Sequence, residues 1–308
     1  MRILFMGTPD IAAVCLKRLL DDGFDIVGAV TQPDKPKGRG QKLAPPEVKV
    51  LAQERGIPVY QPERLKNGEL QPMLEELRPE LIAVVAYGKI LPQYVLDAPK
   101  FGCINMHASL LPKYRGAAPV QWAVINGEQY TGVTTMKMDE GLDTGDMLLS
   151  ERLEIGMYET SAELFERIAV LGAKVLAETI RNIETIIPIP QEHSAHTYAP
   201  MIRKEMGRID WNQPPKTIVK LICGMNSWPL AYTHYKGEQV KILSARLSDE
   251  IPGGACGRIV RHDQGKGLLV SCKDGAVYIQ EVQFAGKKRM HIDAYLLGHT
   301  MDMGAILE

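Results

Sequence analysis

The chain has 308 residues, of which 45% are hydrophobic and 24% are charged, and these are the proportions of a globular protein with material for roughly two domains. Its formal net charge is −1, which argues against a uniformly basic nucleic-acid-binding protein, and no apolar stretch approaches the roughly 20 residues that a membrane helix needs. The charge is nevertheless uneven, because residues 1–206 carry 23 Lys and Arg against 27 Asp and Glu, whereas residues 207–308 carry 13 against 10. The C-terminal third therefore has a weak preference for an anionic partner.

The cysteines occur in an odd number and without a CxxC pair, as Cys15, Cys103, Cys223, Cys256 and Cys272. This usage favours reduced thiols in a cytoplasmic protein over a disulfide framework or a zinc knuckle. The apolar run at the N-terminus is too short for the core of a signal peptide.

The first elements predict a parallel sheet. An apolar run from Arg2 to Met6 ends at a Gly-Thr-Pro-Asp turn, and apolar residues at helical spacing follow from Ile11 to Leu20. With a second strand over Asp25–Thr31, the opening is a strand–helix–strand unit. The turn after the first strand lacks the GxGxxG pattern, so we expect no nicotinamide or flavin dinucleotide.

Residues 32–46 are unusual for a connection in such a unit. They contain four prolines and two glycines, which predict irregular structure. One acid, Asp34, stands among the basic residues Lys35, Lys37, Arg39 and Lys42. The segment is either an ordinary solvated loop or a mobile basic arm that follows phosphates.

The next elements lead to the residues whose side chains are best suited to catalysis. Helices are predicted over residues 46–55 and 70–77, with a short strand over residues 58–60. The continuous apolar run from Leu81 to Ala86 is typical of a central strand covered on both faces. A further strand from Gly102 to Met106 ends at the same edge of the sheet, where open α/β sheets bind ligands.

Asn105 and His107 lie two residues apart on this strand, so their side chains point to the same face. An amide and an imidazole in that arrangement are able to stabilise an oxyanion and to move a proton. Taken by itself, the pair is more typical of buried polar residues that satisfy a loop.

The following segment has a helix over residues 120–125 and two strands, over residues 130–138 and 147–155. The turn between these strands, residues 139–146, is rich in glycine and acid but lacks the spacing of a calcium-binding loop. Thr160 and Glu163 form a capping box for a helix that we predict to extend to about Ile186.

Residues 187–203 contain three prolines and are interpreted as a linker. His193 and His196 have the HxxH spacing, but no Cys or acid stands nearby at a useful spacing. We therefore expect no metal site.

From about Met206 short strands recur at intervals of 8–12 residues, which predicts a small β-barrel of the OB type. The predicted fold is thus an α/β protein with an N-terminal Rossmann-like open, mostly parallel sheet that has helices on both faces, plus the C-terminal OB-like β-barrel. Basic residues at Arg203, Lys204, Lys287 and Lys288 either line a face for an anionic partner or are solvated charge clusters.

Two segments carry a family resemblance. Residues 102–112, Gly-Cys-Ile-Asn-Met-His-Ala-Ser-Leu-Leu-Pro, resemble the signature of the 10-formyltetrahydrofolate-dependent formyltransferases, and residues 141–146, Gly-Leu-Asp-Thr-Gly-Asp, are similar to the acidic loop of that family. The resemblance covers essentially the full length of the chain. Met106 stands where the family often has a smaller β-branched residue, which is a matter of core packing.

Other features favour the tRNA-directed branch of the family, whose formyl acceptor is the free amino group of initiator methionyl-tRNA. They are residues 5–10, the basic loop from Lys35 to Lys42, residues 114–119 and residues 224–229. The resemblance then implies a catalytic domain over residues 1–187, a linker over 188–206 and an OB-like tRNA-binding domain over 207–308. It also implies tRNA and folate as partners, with no membrane and no metal, and we expect a monomer.

Carried over position by position, the resemblance implies that Asn105, His107 and Asp143 are catalytic. Asn105 and protonated His107 would stabilise the oxyanion on the formyl group, and Asp143 would help to move a proton from the amine to the leaving nitrogen. The implied folate contacts are Tyr87, Gly88, Ser109, Leu110, Leu111 and Pro112. The implied tRNA contacts are Lys35, Lys37, Arg39, Lys42, Arg203, Lys204, Lys287 and Lys288.

Three alternatives remain open at this point. A formyltransferase for a small-molecule or nucleotide-sugar amine would share the catalytic residues, and so would a hydrolase that deformylates the folate, but neither needs the basic loop or the barrel. A non-catalytic RNA-binding protein would have no need for the three catalytic residues.

Overall fold

A computed structural model describes residues 1–37 and 42–308 of the chain. The predicted tRNA contact Arg39 lies outside the described residues, and only the backbone is described at Lys37 and Lys42. The chain divides into two compact units. The first unit comprises Met1–Gly116, Thr131–Leu153 and Phe165–Ala199, and the second comprises Ala117–Tyr130, Glu154–Leu164 and Pro200–Glu308. The assignment of functions to domains bounded at residues 187 and 207 stays a prediction.

The described residues contain fifteen strands and eight α-helices. The strands are β1 (Arg2–Gly7), β2 (Asp25–Val30), β3 (Lys35–Lys37), β4 (Lys42–Ala44), β5 (Val59–Tyr60), β6 (Leu81–Val85), β7 (Cys103–His107), β8 (Tyr130–Lys137), β9 (Met147–Glu154), β10 (Ala231–Tyr235), β11 (Glu238–Ser248), β12 (Ile259–Asp263), β13 (Gly267–Cys272), β14 (Gly275–Phe284) and β15 (Met290–His291). The helices are α1 (Asp10–Asp21), α2 (Glu47–Glu54), α3 (Gln71–Leu77), α4 (Gln93–Leu96), α5 (Pro119–Ile125), α6 (Ser161–Arg181), α7 (Pro215–Gly224) and α8 (Ile292–Leu296).

The first unit is built on a seven-stranded sheet with the order β5-β2-β1-β6-β7-β8-β9. The strands from β5 to β7 run parallel, and β8 runs antiparallel to β7. All five residues of β6 are buried, as expected of a central strand covered on both faces. The register pairs Gly7 with Val85 and Val84 with Asn105, so the carboxyl ends of β1, β6 and β7 lie at one edge of the sheet. The mostly parallel α/β sheet confirms the predicted fold class.

The backbone carbonyl of Tyr87 joins the ends of three parallel strands by hydrogen bonds. It accepts hydrogen bonds from Thr8 Oγ1 at 3.3 Å and from Gln32 Nε2 at 3.0 Å. Tyr87 follows β6, Thr8 follows β1 and Gln32 follows β2. These hydrogen bonds join the carboxyl ends of β1, β2 and β6, which lie at the same edge of the sheet as the end of β7.

The prediction of irregular structure over residues 32–46 was wrong for two short segments. β3 and β4 pair as an antiparallel ribbon in which Pro36 lies opposite Leu43. Prolines are excluded from central strands because they lack an N–H donor, but an edge strand tolerates them. A two-stranded ribbon consists of edge strands only, so proline content alone was a poor argument against it.

The capping box at the start of α6 is present, and the end of the helix differs from the prediction. Thr160 N–H donates to Glu163 Oε2 at 2.8 Å, and Glu163 N–H donates to Thr160 Oγ1 at 3.2 Å. The hydrogen bond from the Thr160 backbone lowers the pKa of the Glu163 carboxyl. The helix ends at Arg181 rather than near Ile186, and the Asn182 carbonyl accepts from the N–H groups of Thr185 and Ile186 in the turn that follows.

The second unit contains an antiparallel sheet with the order β10-β11-β14-β13-β12. Its two edges are joined by the last residues of the chain. Glu308 exchanges backbone hydrogen bonds of 2.8 and 3.0 Å with His234 of β10, and Leu307 N–H donates to the Gly257 carbonyl at 2.8 Å. At the β12 edge, Ile259 N–H donates to the Ala305 carbonyl at 2.8 Å. The C-terminal segment thus closes the sheet on itself, in keeping with the predicted small barrel.

Two further findings concern the cysteines and the length of the helices. All five cysteines are free, and burial raises the pKa of the Cys15 and Cys103 thiols to about 12, so these two thiols are protonated and unreactive near neutral pH. No helix within residues 1–37 and 42–308 is long and apolar enough to span a membrane.

Candidate active site

Strand β7 presents the two predicted catalytic side chains at the edge of the first unit's sheet. Asn105 is half-buried and His107 is 6% exposed. The Asn105 amide makes no hydrogen bond with any residue in the described part of the chain, so it is available to a ligand. Met106, between them, points to the other face and packs against Gly172 of α6, where an added methyl group would lie 2.8 Å from the Met106 sulfur.

The His107 ring is oriented by one hydrogen bond. Its Nε2 lies 2.9 Å from the Tyr114 carbonyl oxygen, and because a carbonyl only accepts, Nε2 carries a hydrogen. Tyr114 has a φ of +59°, which is uncommon for an aromatic residue. The Nδ1 atom of His107 is therefore the nitrogen that is left to take or give a proton.

Asp143 faces this second nitrogen. Its Oδ2 lies 3.7 Å from His107 Nδ1 and accepts a 2.8 Å hydrogen bond from the Gly116 N–H. The 3.7 Å separation is longer than a direct hydrogen bond, so a proton transfer between the two groups would require a bridging water molecule or a small approach. A cationic imidazole at this distance is stabilised by the carboxylate.

The loop around Asp143 requires particular residue types because of its hydrogen bonds and its close backbone contacts. Asp139 Oδ1 accepts from Gly141 N–H at 2.9 Å and from Thr144 Oγ1 at 2.7 Å, which closes a tight turn. A Cβ atom on Gly145 would lie 1.8 Å from the Lys137 carbonyl oxygen, so only glycine fits there. Asp139 therefore shapes the loop, whereas Asp143 is the acid that reaches His107.

The predicted folate turn, residues 109–112, is fixed to strand β8 by one hydroxyl. Thr134 Oγ1 donates to the Ser109 carbonyl at 2.8 Å and accepts from Leu111 N–H at 3.1 Å. Ser109 is fully buried and its own hydroxyl donates to the Lys113 carbonyl at 2.7 Å. Leu111 is also buried, whereas Leu110 and Pro112 are half-buried. These last two residues and the backbone are the parts of the turn that a ligand can reach.

The other two predicted folate contacts, Tyr87 and Gly88, offer a ligand their backbone and not a side chain. The Tyr87 ring is 2% exposed and packs in a core cluster with Val84 and Leu91, and burial raises the pKa of its hydroxyl to about 12. Gly88 adopts a φ of +80°, a conformation that glycine adopts without strain. A ligand at this position would meet the backbone rather than the phenol.

A cavity of about 630 Å³ borders the loop that carries Asp143. Its size falls within the usual range of about 300–1,000 Å³ for small-molecule sites. It is lined by Gln93 and Leu96 of α4, by Gly102 just before β7, and by Lys137 and Met138 at the end of β8. Lys137 pairs with Ile104 whereas Thr134 pairs with His107, so the cavity lies at the amino end of β7 and does not include the candidate catalytic residues.

The predicted tRNA contacts that can be described are exposed. They are Lys35 in the first unit and Arg203, Lys204, Lys287 and Lys288 in the second. Within residues 1–37 and 42–308, none of these five side chains forms an ion pair with a carboxylate. Their charges are therefore available to an anionic partner.

Two residues at the site were missed by the sequence interpretation. Gln191 and Arg115 are each 5% exposed, and Arg115 donates to Gln191 Oε1 beneath the Asp143 loop. Gln191 lies in the segment that was interpreted as a linker, and Pro188 and Pro190 before it carry no signal of burial. The described residues contain no group of three or more His, Cys, Asp or Glu side chains arranged to hold a metal ion.

Comparison with known families gives matches over most of the chain. A family model described as formyl transferase matches residues 1–180, and one described as formyl transferase, C-terminal domain, matches residues 201–300. The chain is 49% identical over 313 aligned positions to the methionyl-tRNA formyltransferase of Alkaliphilus oremlandii, with 100% of this chain and 99% of the relative covered. The corresponding enzyme of Clostridioides difficile is 46% identical over 310 positions, with both chains covered completely.

Similar solved structures share the fold at lower identity. WlaRD, a sugar 3N-formyl transferase crystallised with dTDP and 5-N-formyl-THF, has a TM-score of 0.67 at 20% identity, covering 94% of this chain and 99% of that one. HypX from Aquifex aeolicus, in a complex with tetrahydrofolic acid, has a TM-score of 0.61 at 20% identity, covering 96% of this chain and 47% of that one.

Proposed function

The chain belongs to the formyl transferase family, and on that premise we propose that it transfers the formyl group of 10-formyltetrahydrofolate to the free amino group of initiator methionyl-tRNA. The product would be N-formylmethionyl-tRNA for translation initiation. The observation that carries this proposal is the full-length similarity to methionyl-tRNA formyltransferases, which includes the C-terminal unit. We further propose that the enzyme acts as a monomer in the cytoplasm.

Two observations support a folate co-substrate in the first unit. The Asn105 amide has no partner in the part of the chain that the structure covers, and Leu110 and Pro112 of the turn that follows β7 are only half-buried, so a ligand can reach them. The folate would supply the formyl carbon on its N10 atom. We propose that the backbone of Gly88 and of residues 109–112 binds its polar edge.

The chemistry follows from the arrangement around β7. The methionyl amine attacks the formyl carbon, negative charge develops on the formyl oxygen, and the bond to N10 breaks once that nitrogen is protonated. Asn105 donates an amide hydrogen to the developing oxyanion, and His107 Nδ1 supplies a second donor. Asp143, 3.7 Å from Nδ1, stabilises the imidazolium and helps to move the proton from the amine to the leaving nitrogen.

The exposed cations support the choice of acceptor. A tRNA is a polyanion, and its acceptor end is single-stranded, so unpaired Lys and Arg side chains are suited to hold it. We propose that the exposed residues Lys35, Arg203, Lys204, Lys287 and Lys288 do so. To them we add Lys37, Arg39 and Lys42 on the strength of the sequence alone. A small amine would need none of them.

The test is a formyl-transfer assay with three acceptors: initiator methionyl-tRNA, the same tRNA uncharged, and a small amine. We expect formylation of the aminoacylated tRNA only, and a loss of roughly a hundredfold or more in kcat for His107→Ala. Formylation of the small amine with no reaction of the tRNA would contradict the proposed acceptor but keep the chemistry. Full activity of the His107→Ala variant would contradict the chemistry.

A further inference from the structure

Gln191 is a buried side chain whose hydrogen-bonding capacity is used in two directions. Its Nε2 donates to the Asp143 carbonyl at 2.9 Å and to the Gly145 carbonyl at 2.7 Å. Its Oε1 accepts from Arg115 Nε at 3.1 Å and from Arg115 Nη2 at 2.6 Å. One amide group therefore joins the loop of Asp143 to the turn that contains Arg115.

The chain after Gln191 continues this connection. Thr197 Oγ1 accepts from Tyr114 N–H at 2.8 Å, and the Thr197 carbonyl accepts from Arg115 N–H at 2.9 Å. Ala199 N–H donates back to the Arg115 carbonyl at 2.7 Å. We call residues 191–199 the brace segment, because they pair with the turn of residues 114–116 along its length.

That turn holds both members of the catalytic pair. Its Tyr114 carbonyl fixes Nε2 of His107, and its Gly116 N–H fixes Oδ2 of Asp143. Gln191 fixes the backbone of Asp143 from the other side. The brace segment therefore holds the backbone on both sides of the catalytic pair, at residues 114 and 115 and at residues 143 and 145.

We propose that Gln191 is a positioning residue of the formyl-transfer reaction, which sets the distance between His107 and Asp143 by donating two hydrogen bonds to the Asp143 loop. This inference rests on the proposed function. Gln191 does not touch the reacting atoms, and its effect is transmitted through the backbone of residues 143–145. An error of about 1 Å in such a pair is enough to lower a rate by roughly a hundredfold.

Gln191→Glu separates this role from simple support of the fold. Glutamate is nearly isosteric and keeps an oxygen against Arg115, now as an ion pair, but it offers no N–H to the carbonyls of Asp143 and Gly145. Because the new carboxylate oxygen is buried against two carbonyl oxygens, the thermal unfolding midpoint should fall. At a temperature where the variant is fully folded, we still expect its kcat to be roughly a hundredfold below that of the parent. The KM values for folate and tRNA should change by less than about threefold, since the binding surfaces are untouched.

The matched control is Gln53→Glu, which makes the same charge change at an exposed position of α2 and should leave both kcat and stability unchanged. Hydrogen exchange supplies a readout that does not depend on activity. In Gln191→Glu, amide exchange should accelerate within residues 139–146 and remain unchanged in strands β1 and β6. A structural role alone would instead accelerate exchange throughout the first unit.

The outcomes are distinguishable. If the parent protein fails to formylate methionyl-tRNA, the proposed function is wrong and the positioning role in that reaction is wrong with it, whereas local loss of protection in residues 139–146 would still show that Gln191 holds the Asp143 loop. If the parent is active and Gln191→Glu retains kcat within twofold, the positioning role is wrong. A kcat that falls only in proportion to the fraction of folded protein would also overturn it.

Discussion

At the scale of single residues, the Tyr87 hydroxyl is buried and has no hydrogen-bond partner among the residues that the structure describes. A buried polar group without a partner costs free energy on folding. Tyr87→Phe removes that group, so we expect the free energy of unfolding to rise by about 1 kcal/mol. The measurement is urea-induced unfolding followed by fluorescence.

Tyr94 is the matched control for this prediction. Its hydroxyl donates to the Leu65 carbonyl at 2.8 Å in the same unit, so Tyr94→Phe should lower the free energy of unfolding by about 1 kcal/mol. Opposite signs for two identical substitutions would identify the hydrogen bond as the cause. A loss of stability in Tyr87→Phe would mean that its hydroxyl has a partner in solution.

The residue scale is also where sequence reasoning reached furthest. Asn105, His107 and Asp143 are predicted from the family resemblance of residues 102–112 and 141–146, and the structure brings His107 Nδ1 and Asp143 Oδ2 within 3.7 Å. Their catalytic role stays a prediction. The direction in which a side chain points is harder to predict from the sequence. Tyr87 follows a central strand and was expected to meet the folate, but nothing local in the sequence indicates that its ring turns into the core.

At the scale of elements, strand β8 fixes the 109–112 turn through Thr134. Thr134→Val removes the hydroxyl with little change in shape and leaves the Ser109 carbonyl and the Leu111 N–H without that partner. We expect a loss of about 1–3 kcal/mol in the free energy of unfolding. We also expect a KM for 10-formyltetrahydrofolate raised several-fold, because the turn is the proposed folate contact.

Thr135→Val is the control on the neighbouring residue of the same strand. Thr135 is equally buried, but it points to the opposite face, where its hydroxyl lies 2.7 Å from Thr179 Oγ1 of α6. It should lose comparable stability with an unchanged KM for the folate. Equal increases in KM for both variants would show that the turn responds to general destabilisation and not to Thr134.

Elements were predicted correctly where a local sequence pattern determines them. They were predicted poorly where pairing with distant residues determines them. The five buried residues of β6 and the capping box of α6 are local signals, and both were recognised. The ribbon of β3 and β4 and the burial of Gln191 depend on pairing with distant residues. Met106 shows the same dependence, because its extra length is accommodated by the absence of a side chain at Gly172, 66 residues further along the chain.

At the scale of the whole molecule, the sequence predicted two regions of different charge, and the structure adds which cations are unpaired. Lys287 and Lys288 lie exposed in the turn between β14 and β15, without an ion pair in the described chain. Lys236 is also exposed in the second unit, but its Nζ lies 2.6 Å from Asp302 Oδ2. An unpaired cation replaces the counterions of the tRNA phosphates without first giving up an ion pair with a carboxylate.

Substituting these lysines one at a time should therefore change the salt dependence of tRNA binding differently. For Lys287→Ala or Lys288→Ala, we expect the slope of log Kd against log salt concentration to fall by about 1, with kcat preserved. For Lys236→Ala, the charge removed was already neutralised by Asp302, so the slope should remain that of the parent. Titrations of the tRNA at several salt concentrations measure both effects. If all three variants changed the slope equally, net charge rather than these specific lysines would govern binding, and the proposed tRNA contacts at Lys287 and Lys288 would be wrong.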